Sequence, residues 1–240
     1  DKNGKIRQRL WKIRAKKVIV ATGSIERPLV FNNNDRPGIL LSNSINKYLD
    51  YYGVACGKNI ILFTNNDTAY ETAISLHKKG IKNLIVDLRK NSQSEIAKQA
   101  QNLGIKIYFN HVVTNTFGYR RINSVEMMEL SDDGNTTIGN RIKLNCDCLG
   151  ISGGWTPMVH MHTQSGGKLD FKNDDQVFIP KENDNDQISV GACNGDFDLE
   201  TIIDKTVNKI NIFLEINNHD YKNTKVDCSI EKEKRNIWLL

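Results

Sequence analysis

Lys17-Val18-Ile19-Val20-Ala21-Thr22-Gly23, followed at once by Ser24-Ile25-Glu26-Arg27-Pro28, is the stretch on which the fold turns. Val18 to Ala21 is a short apolar run of buried-strand type that stops at small residues. Glycine at the strand end has no Cβ to hold a ligand away, and threonine carries both a hydroxyl and a methyl on one short stem. A second strand ends in the same manner much later: Gln187-Ile188-Ser189-Val190 runs into Gly191-Ala192-Cys193-Asn194-Gly195-Asp196. A helical run from Leu199 to Ile216 follows. Strand, small-residue turn and helix present a helix N-terminus to an anion or a ribityl chain. Thr22 and Gly23 from one turn, and Gly191, Ala192, Asn194 and Gly195 from the other, are therefore the candidate cofactor-lining residues; two ordinary tight turns is the alternative reading. Arg27 either pairs with a cofactor phosphate through its planar fork or salt-bridges Glu26 or Asp35.

Between these two strands lies a separate α/β pattern. Asn59 to Phe63 reads as a buried strand, Asn66 or Asp67 caps a helix over Thr68 to Lys79, and Leu84 to Asp87 reads as the next strand. A helix over Gln93 to Leu103 leads to a strand over Ile105 to Phe109. Two β-α-β steps of this length predict a right-handed parallel sheet. Val125 to Leu130 and Ile142 to Leu149, joined by Asp132-Asp133-Gly134-Asn135, read as an attached hairpin. Ahead of the first turn, the alternation from Ile6 to Arg14 predicts a half-buried strand, and Ser24 to Tyr52 reads as a connector ending in a short helix from Ser42 to Tyr51.

The turn Thr64-Asn65-Asn66-Asp67-Thr68 stands where a Rossmann unit takes a dinucleotide, yet it has no glycine, and Asp67 sets a negative charge against a diphosphate. Asp87 falls where a ribose-binding carboxylate would stand, so nucleotide binding and a purely structural unit are both open, with the structural unit favoured.

Composition narrows the classes further. The 240 residues carry a net charge of +5 from mixed basic and acidic residues. Only Arg120-Arg121 and Lys232 to Arg235 are locally basic, without interleaved aromatics, so a nucleic-acid groove is not expected. No run is long enough to span a membrane, and a soluble, cytoplasmic protein is expected. The five cysteines, Cys56, Cys146, Cys148, Cys193 and Cys228, include no Cys-x-x-Cys. That pattern argues against a dithiol redox centre and for buried thiols, with Cys146 and Cys148 on one face of a strand. His160 and His162 form a His-x-His pair that could chelate if it lies in a strand, but no third ligand follows at a useful spacing, so no metal site is expected. Trp155 beside Gly153-Gly154 reads as a core anchor, and Ser165-Gly166-Gly167 as a flexible turn.

The order of these parts resembles the two-dinucleotide-domain flavoprotein reductases. The specific motifs are Ala21-Thr22-Gly23-Ser24-Ile25-Glu26-Arg27-Pro28-Leu29-Val30-Phe31, Asn34-Asp35-Arg36-Pro37-Gly38, Phe63-Thr64-Asn65-Asn66-Asp67, Ser152-Gly153-Gly154-Trp155-Thr156-Pro157 and His160 to Gly167. These resemble the alpha subunit of heterotetrameric sarcosine oxidase. The resemblance implies an α/β, FAD/NAD(P)-binding Rossmann-like fold of glutathione-reductase-like architecture, without the N-terminal Gly-x-Gly-x-x-Gly unit. It implies residues 1–56 as the end of a first dinucleotide domain plus connector and 57–150 as a second, Rossmann-like domain. Residues 151–220 would return to the first domain, and 221–240 would lead toward a further domain. On this reading the chain is an internal piece of a longer subunit, because it opens without an initiator Met and stops before any folate-binding half.

The family's reaction is oxidative demethylation of sarcosine to glycine, with oxygen reduced to hydrogen peroxide and formaldehyde or methylenetetrahydrofolate formed. The cofactors implied are NAD in this subunit, FMN shared with the beta subunit, FAD in the partner and tetrahydrofolate in the C-terminal half. The partners implied are the beta, gamma and delta subunits and an N-methyl amine substrate. No catalytic acid or base is expected in this chain. The competing classes are a non-catalytic dinucleotide-binding or assembly module and a different FAD/NAD(P)-dependent oxidoreductase; the missing Cys-x-x-Cys removes its thioredoxin-reductase-like branch.

Overall fold

The computed structural model describes residues 4, 8–181 and 186–215. In chain order the elements are β1 (Val18–Val20), β2 (Ser24–Glu26), β3 (Ile39–Leu41), α1 (Ser42–Tyr52), β4 (Asn59–Thr64), α2 (Thr68–Lys78) and β5 (Lys82–Asp87). There follow α3 (Glu95–Asn102), β6 (Lys106–Phe109), β7 (His111–Phe117), β8 (Ser124–Leu130), β9 (Thr137–Asn145) and β10 (Cys148–Ser152). The last are β11 (Trp155–Pro157), α4 (His160–Gln164), β12 (Leu169–Lys172), β13 (Val177–Pro180), β14 (Gln187–Ser189) and α5 (Leu199–Leu214). No helix among the described residues is long and apolar enough to cross a membrane.

A five-stranded parallel sheet of order β3-β10-β4-β5-β6 forms the centre. The alternation of β4 explains why both of its faces are buried. Ile60 and Leu62 meet Ile45, Leu49, Tyr70, Leu76 and Ala97 beneath α1, α2 and α3. Ile61 and Phe63 point the other way, to Val113, Val125, Met127 and Leu130 of the antiparallel sheet β7-β8-β9. None of these four β4 side chains is more than 1% exposed. Burial of each contributes about 1.5–3 kcal/mol. Helix boundaries follow local chemistry: Gly53 ends α1 in the left-handed region, and Ser94 caps α3 by accepting from the Ala97 N–H.

Several expectations are corrected. The connector contains two strands, β2 and β3, and β3 joins the parallel sheet. In the expected first strand, residues 8–14 are exposed and form no strand, because Leu10, Trp11 and Ile13 find no apolar surface among the described residues; Ile6 and Arg7 lie outside them. The hairpin turn Ser131–Thr136 forms where expected, through Ser131 N–H to the Thr136 carbonyl at 2.9 Å. Its second strand ends at Asn145, however, and the run to Leu149 is broken at Asp147. That carboxylate accepts from the Lys58 and Asn59 N–H groups at 2.8 and 2.9 Å, and so starts β10 alongside β4. Consequently Cys146 and Cys148 do not share a face: Cys146 packs toward β7-β8-β9 and Cys148 toward the helices. Burial pushes both thiols up to about 12, with the charge of Asp147 adding to it.

Outside this unit, β1 pairs in parallel with β14, β2 pairs antiparallel with β11, and β12 with β13. The β2–β11 ribbon carries the chain between the β1–β14 pair and the five-stranded sheet. The expected end of the last helix at Ile216 and the segment 221–240, with Cys228, lie outside the described residues.

Candidate functional site

The two strands that end in small residues lie side by side. Val20 is in register with Ser189, and the Val190 N–H donates to the Val20 carbonyl at 2.9 Å. The buried Cys193 thiol donates to the same carbonyl at 3.3 Å and pins the second turn against the first strand. Both strand ends therefore open at one place, which is how parallel α/β sheets present ligand sites.

Gly23 has φ +74°, and a Cβ built there would meet nothing within 4 Å, so the position is open to a bound group. The Thr22 hydroxyl donates to the Met158 carbonyl at 2.7 Å, and the Met158 N–H donates to the Gly23 carbonyl at 2.9 Å. Thr22 thus presents its oxygen lone pairs, with its proton already committed.

Gly191, at φ +73°, begins a 3-10 turn to Asn194 that closes on Gly195 through the Gly195 N–H to Ala192 carbonyl bond of 3.1 Å. A Cβ on Gly195 would come within 2.7 Å of Ile179 Cγ2 at φ +82°, so glycine is required there by both space and backbone.

Next to this turn lies a cleft of about 400 Å³ lined by Gly191, Asn194, Asp196, Lys205, Thr206 and Asn208. The Asp196 carboxylate accepts from Lys205 Nζ at 2.6 Å and from Asn194 Nδ2 at 3.4 Å. Sequence reasoning passed over Asp196 and Lys205. The signal for Asp196 was its place directly after the glycine turn; Lys205 is brought in by the α5 helix and had no local signal. At the start of α5, Asp198 accepts from the Thr201 N–H at 2.8 Å, and the Thr201 hydrogen bonds hold its carboxyl below the usual range. The helix N-terminus is therefore capped by the chain's own carboxylate.

On the other side of Asn194 a second cleft of about 410 Å³ is lined by His162, Gln187, Ser189, Lys209 and Phe213. His162 is buried, with Nε2 3.0 Å from the Lys168 carbonyl and Nδ1 3.4 Å from Gln187 Nε2. The His-x-His pair lies on the helix α4 rather than on a strand, so His160 and His162 project about 200° apart and cannot chelate together. Gly167 supplies space more than flexibility, because a Cβ there would stand 2.3 Å from His162 Nε2.

Arg27 is placed apart from the paired strand ends. Its Nε donates to the Gly153 carbonyl at 3.0 Å and its Nη1 to the Gln176 carbonyl at 2.9 Å. Burial pulls its guanidinium below the ordinary value, opposed by the charge of Asp175. Glu26 is not its partner: that buried carboxylate turns to the N-terminus of α1 and accepts from the Asn43 N–H at 2.9 Å. Asp87, the ribose-carboxylate candidate, is fully buried in an ion pair with Arg89.

No family model matches the chain. It is 36% identical over 197 residues to sarcosine oxidase subunit alpha of Corynebacterium sp. (strain P-1), a match that takes in 81% of this chain. The corresponding subunit of Rhizobium meliloti (strain 1021) is 34% identical over 174 residues, 72% of this chain. Over this span the chain is homologous to sarcosine oxidase alpha subunits. The chain spans about a fifth of the length of these relatives, 20% and 16% respectively.

Among solved structures, the thioredoxin reductase of Lactococcus lactis superposes with a TM-score of 0.61 at 18% identity, over 83% of this chain and 67% of that one. L-proline dehydrogenase from P. horikoshii superposes with a TM-score of 0.53 at 20% identity, over 75% of this chain and 30% of that one. At such identities the likeness establishes the fold, that of the FAD/NAD(P)-binding oxidoreductases, as the motif order led us to expect.

Proposed function

We propose that this chain is the cofactor-lining part of the alpha subunit of a sarcosine oxidase complex. The observation that carries this reading is the β1–β14 pair, whose two small-residue turns open at one point in a chain 36% identical over 197 residues to a sarcosine oxidase alpha subunit. The reaction would convert sarcosine, oxygen and water to glycine, formaldehyde and hydrogen peroxide, with methylenetetrahydrofolate replacing formaldehyde when the folate is supplied. A flavin in that complex would supply the hydride acceptor for the N-methyl group, and the chain's own part would be binding and positioning.

The residues present fit a dinucleotide. Gly23 and Gly191 permit close backbone approach, and the Thr22 oxygen and the Asp196 carboxylate can accept from ribose or ribityl hydroxyls. Asn194 and the paired Lys205 supply donors to the same cleft. Ala192 and Gly195 hold the turn's shape; Arg27 holds the β2–β11 ribbon, and a direct phosphate contact is not assigned to it. NAD in this subunit, FMN shared with the beta subunit, FAD in the partner and tetrahydrofolate in the C-terminal half complete the proposed set. Beta, gamma and delta subunits in the cytoplasm are the proposed partners.

The second reading is a non-catalytic assembly module, favoured by the glycine-free turn after β4. The experiment that separates the two is co-expression of the complete reading frame with its neighbouring gene products, followed by identification of the cofactors released on denaturation. NAD and flavin together with sarcosine-dependent peroxide support the oxidase. A pure, assembled complex with neither cofactor removes the roles given to Thr22, Gly23 and Gly191.

A further inference from the structure

We infer that the nucleotide crevice of the five-stranded sheet is used as an internal socket for the chain's own side chains, and that no pyridine nucleotide delivers hydride through this unit. The crevice in question lies beyond the carboxyl ends of β4 and β10, where the strand order reverses; in open α/β sheets that is the ligand site. Three positions a dinucleotide would need are already occupied.

The first is the turn that would face the diphosphate. Asn66 is fully buried; its Oδ1 accepts the Thr68 N–H at 2.9 Å, so an N-terminal donor of α2 is consumed. Its Nδ2 reaches across the crevice to the Ser152 carbonyl at 3.2 Å and to Asn65 Oδ1 at 2.9 Å, tying β4 to β10. Where a glycine turn would leave room, two asparagine side chains fill it.

The second is the ribose position at the end of β5. Both oxygens of Asp87 are taken: Oδ1 by the Arg89 N–H at 2.9 Å and Arg89 Nε at 3.1 Å, Oδ2 by Arg89 Nη2 at 2.8 Å and the Tyr70 hydroxyl at 2.6 Å. Arg89 Nη2 also meets Asp67 Oδ1 at 2.7 Å, so the guanidinium spans the two acidic residues that flank the crevice. A nucleotide would have to break this buried pairing, at a loss in affinity of more than about a hundredfold.

The third is the mouth of the crevice, entered by the β2–β11 ribbon. The Trp155 indole N–H donates to Thr68 Oγ1 at 3.1 Å, over the first residue of α2, and the Glu26 carboxylate lies on the N-terminus of α1. The ribbon is thereby docked on the unit that in an open fold would carry the nucleotide. The carboxylates of Asp67 and Asp87, shared by the single guanidinium of Arg89, also make this end of the crevice unfavourable for a diphosphate.

This inference rests on the five-stranded unit and the β2–β11 ribbon docked on it, and stands whether or not the complex oxidises sarcosine. It is tested on the complete subunit complex by photolabelling with an azido-adenine analogue of NAD, with peptide mapping, and by anaerobic addition of NADH and NADPH while the flavin absorbance is followed. The expected result is no saturable label in peptides from residues 59–110 and no flavin bleaching by either nucleotide. Label confined to peptides from residues 186–215 supports both the socket and the proposed cofactor site. No label anywhere supports the socket and counts against that site. Saturable label within 59–110 that NADH competes away, or rapid flavin bleaching that Arg89→Ala alters, overturns the inference.

Discussion

Replacing Arg89 by Met removes the guanidinium that holds the crevice closed while keeping a long apolar stem in place. Its side chain is 4% exposed, and its two carboxylate partners, Asp87 and Asp67, are 0% and 12% exposed. Burial alone would lower the Arg89 guanidinium, but the hydrogen bonds and charge of Asp87, then of Asp67, more than offset it and raise it above the ordinary value. The native pair is thus held in its ionised form, and deleting one member strands a fully buried carboxylate. Breaking a buried pair in this way costs about 3–5 kcal/mol. A domain holds only about 5–15 kcal/mol in total. With a urea slope of about 2 kcal/mol per M, the midpoint of the Arg89→Met chain should fall by roughly 1.5–2.5 M, read by far-ultraviolet circular dichroism. The double variant Asp87→Asn with Arg89→Met keeps an acceptor for the Tyr70 hydroxyl and removes the fully buried charge, leaving only the Asp67 carboxylate at 12% exposure, and should regain at least about 1 kcal/mol. A single-variant shift under about 0.5 M, or a double variant no more stable than Arg89→Met, would refute the claim that an ionised pair closes this site.

Glu26 gives a pH-dependent prediction. Burial raises its carboxyl above the ordinary 4.5, opposed by the Asn43 N–H and Ser152. The folded chain therefore keeps this proton to higher pH than the unfolded one, so the associated stability is complete below 4.5 and is lost as pH rises through the folded value. Glu26→Gln should be at least as stable as the parent at pH 7 and flatter from pH 4.5 upward; parallel curves in thermal melts would contradict this. Gly195→Ala should lower stability by about 1–3 kcal/mol, because its Cβ would meet Ile179 at a positive φ, with the loss seen as a reduced melting temperature. Cys146 and Cys148, raised to about 12 and buried, should resist alkylation by iodoacetamide at pH 8 until the chain unfolds; modification of either in the native protein by mass spectrometry would refute their packing. Asp196→Asn should weaken retention of the released cofactor about tenfold in the assembled complex, while leaving the melting temperature of the cofactor-free complex within about 2 °C.

What the sequence showed and what it hid differ by range. Asn59 to Thr64 was legible because four consecutive apolar residues between polar Asn59 and Thr64 are too few for a helix and fit a strand buried on both faces, and Gly53 and Ser94 marked helix ends by local backbone needs. The break at Asp147 was not legible: no glycine or proline interrupts Ile142 to Leu149, and the chain turns there because a side chain accepts hydrogen bonds from residues about ninety positions earlier. His160 to Gln164 failed for a related reason, since five residues are too few to show a helical period. At the candidate site, the two glycine turns were visible as strand endings, whereas Lys205 and the His162 cleft depend on how α5 and α4 pack. The commitment of Arg27 to carbonyls at Gly153 and Gln176 is equally a tertiary fact.

The chain uses one strand-and-turn plan twice, with opposite outcomes, and the difference lies in the residues just past the strands. After β1 and β14 the backbone enters positive φ at Gly23 and Gly191, and a Cβ at Gly23 would meet nothing within 4 Å. After β4 the chain stays in ordinary conformations and places Asn65 and Asn66 inward, 3% and 0% exposed, where the Asn66 amide bonds to β10 and to the start of α2 and Asn65 Oδ1 accepts from it. Glycine leaves backbone groups facing an empty space that only a ligand or water can satisfy, whereas asparagine brings its own donor and acceptor and satisfies the turn from within. A site closed by asparagines cannot be opened by a single substitution to glycine, because Arg89, Asp67 and Asp87 would still occupy the ribose end. Asn66→Gly should therefore loosen the join of β4 to β10 without conferring NADH binding, and measurable NADH affinity in that variant would show that the turn alone, and not the ion pair behind it, decides the outcome.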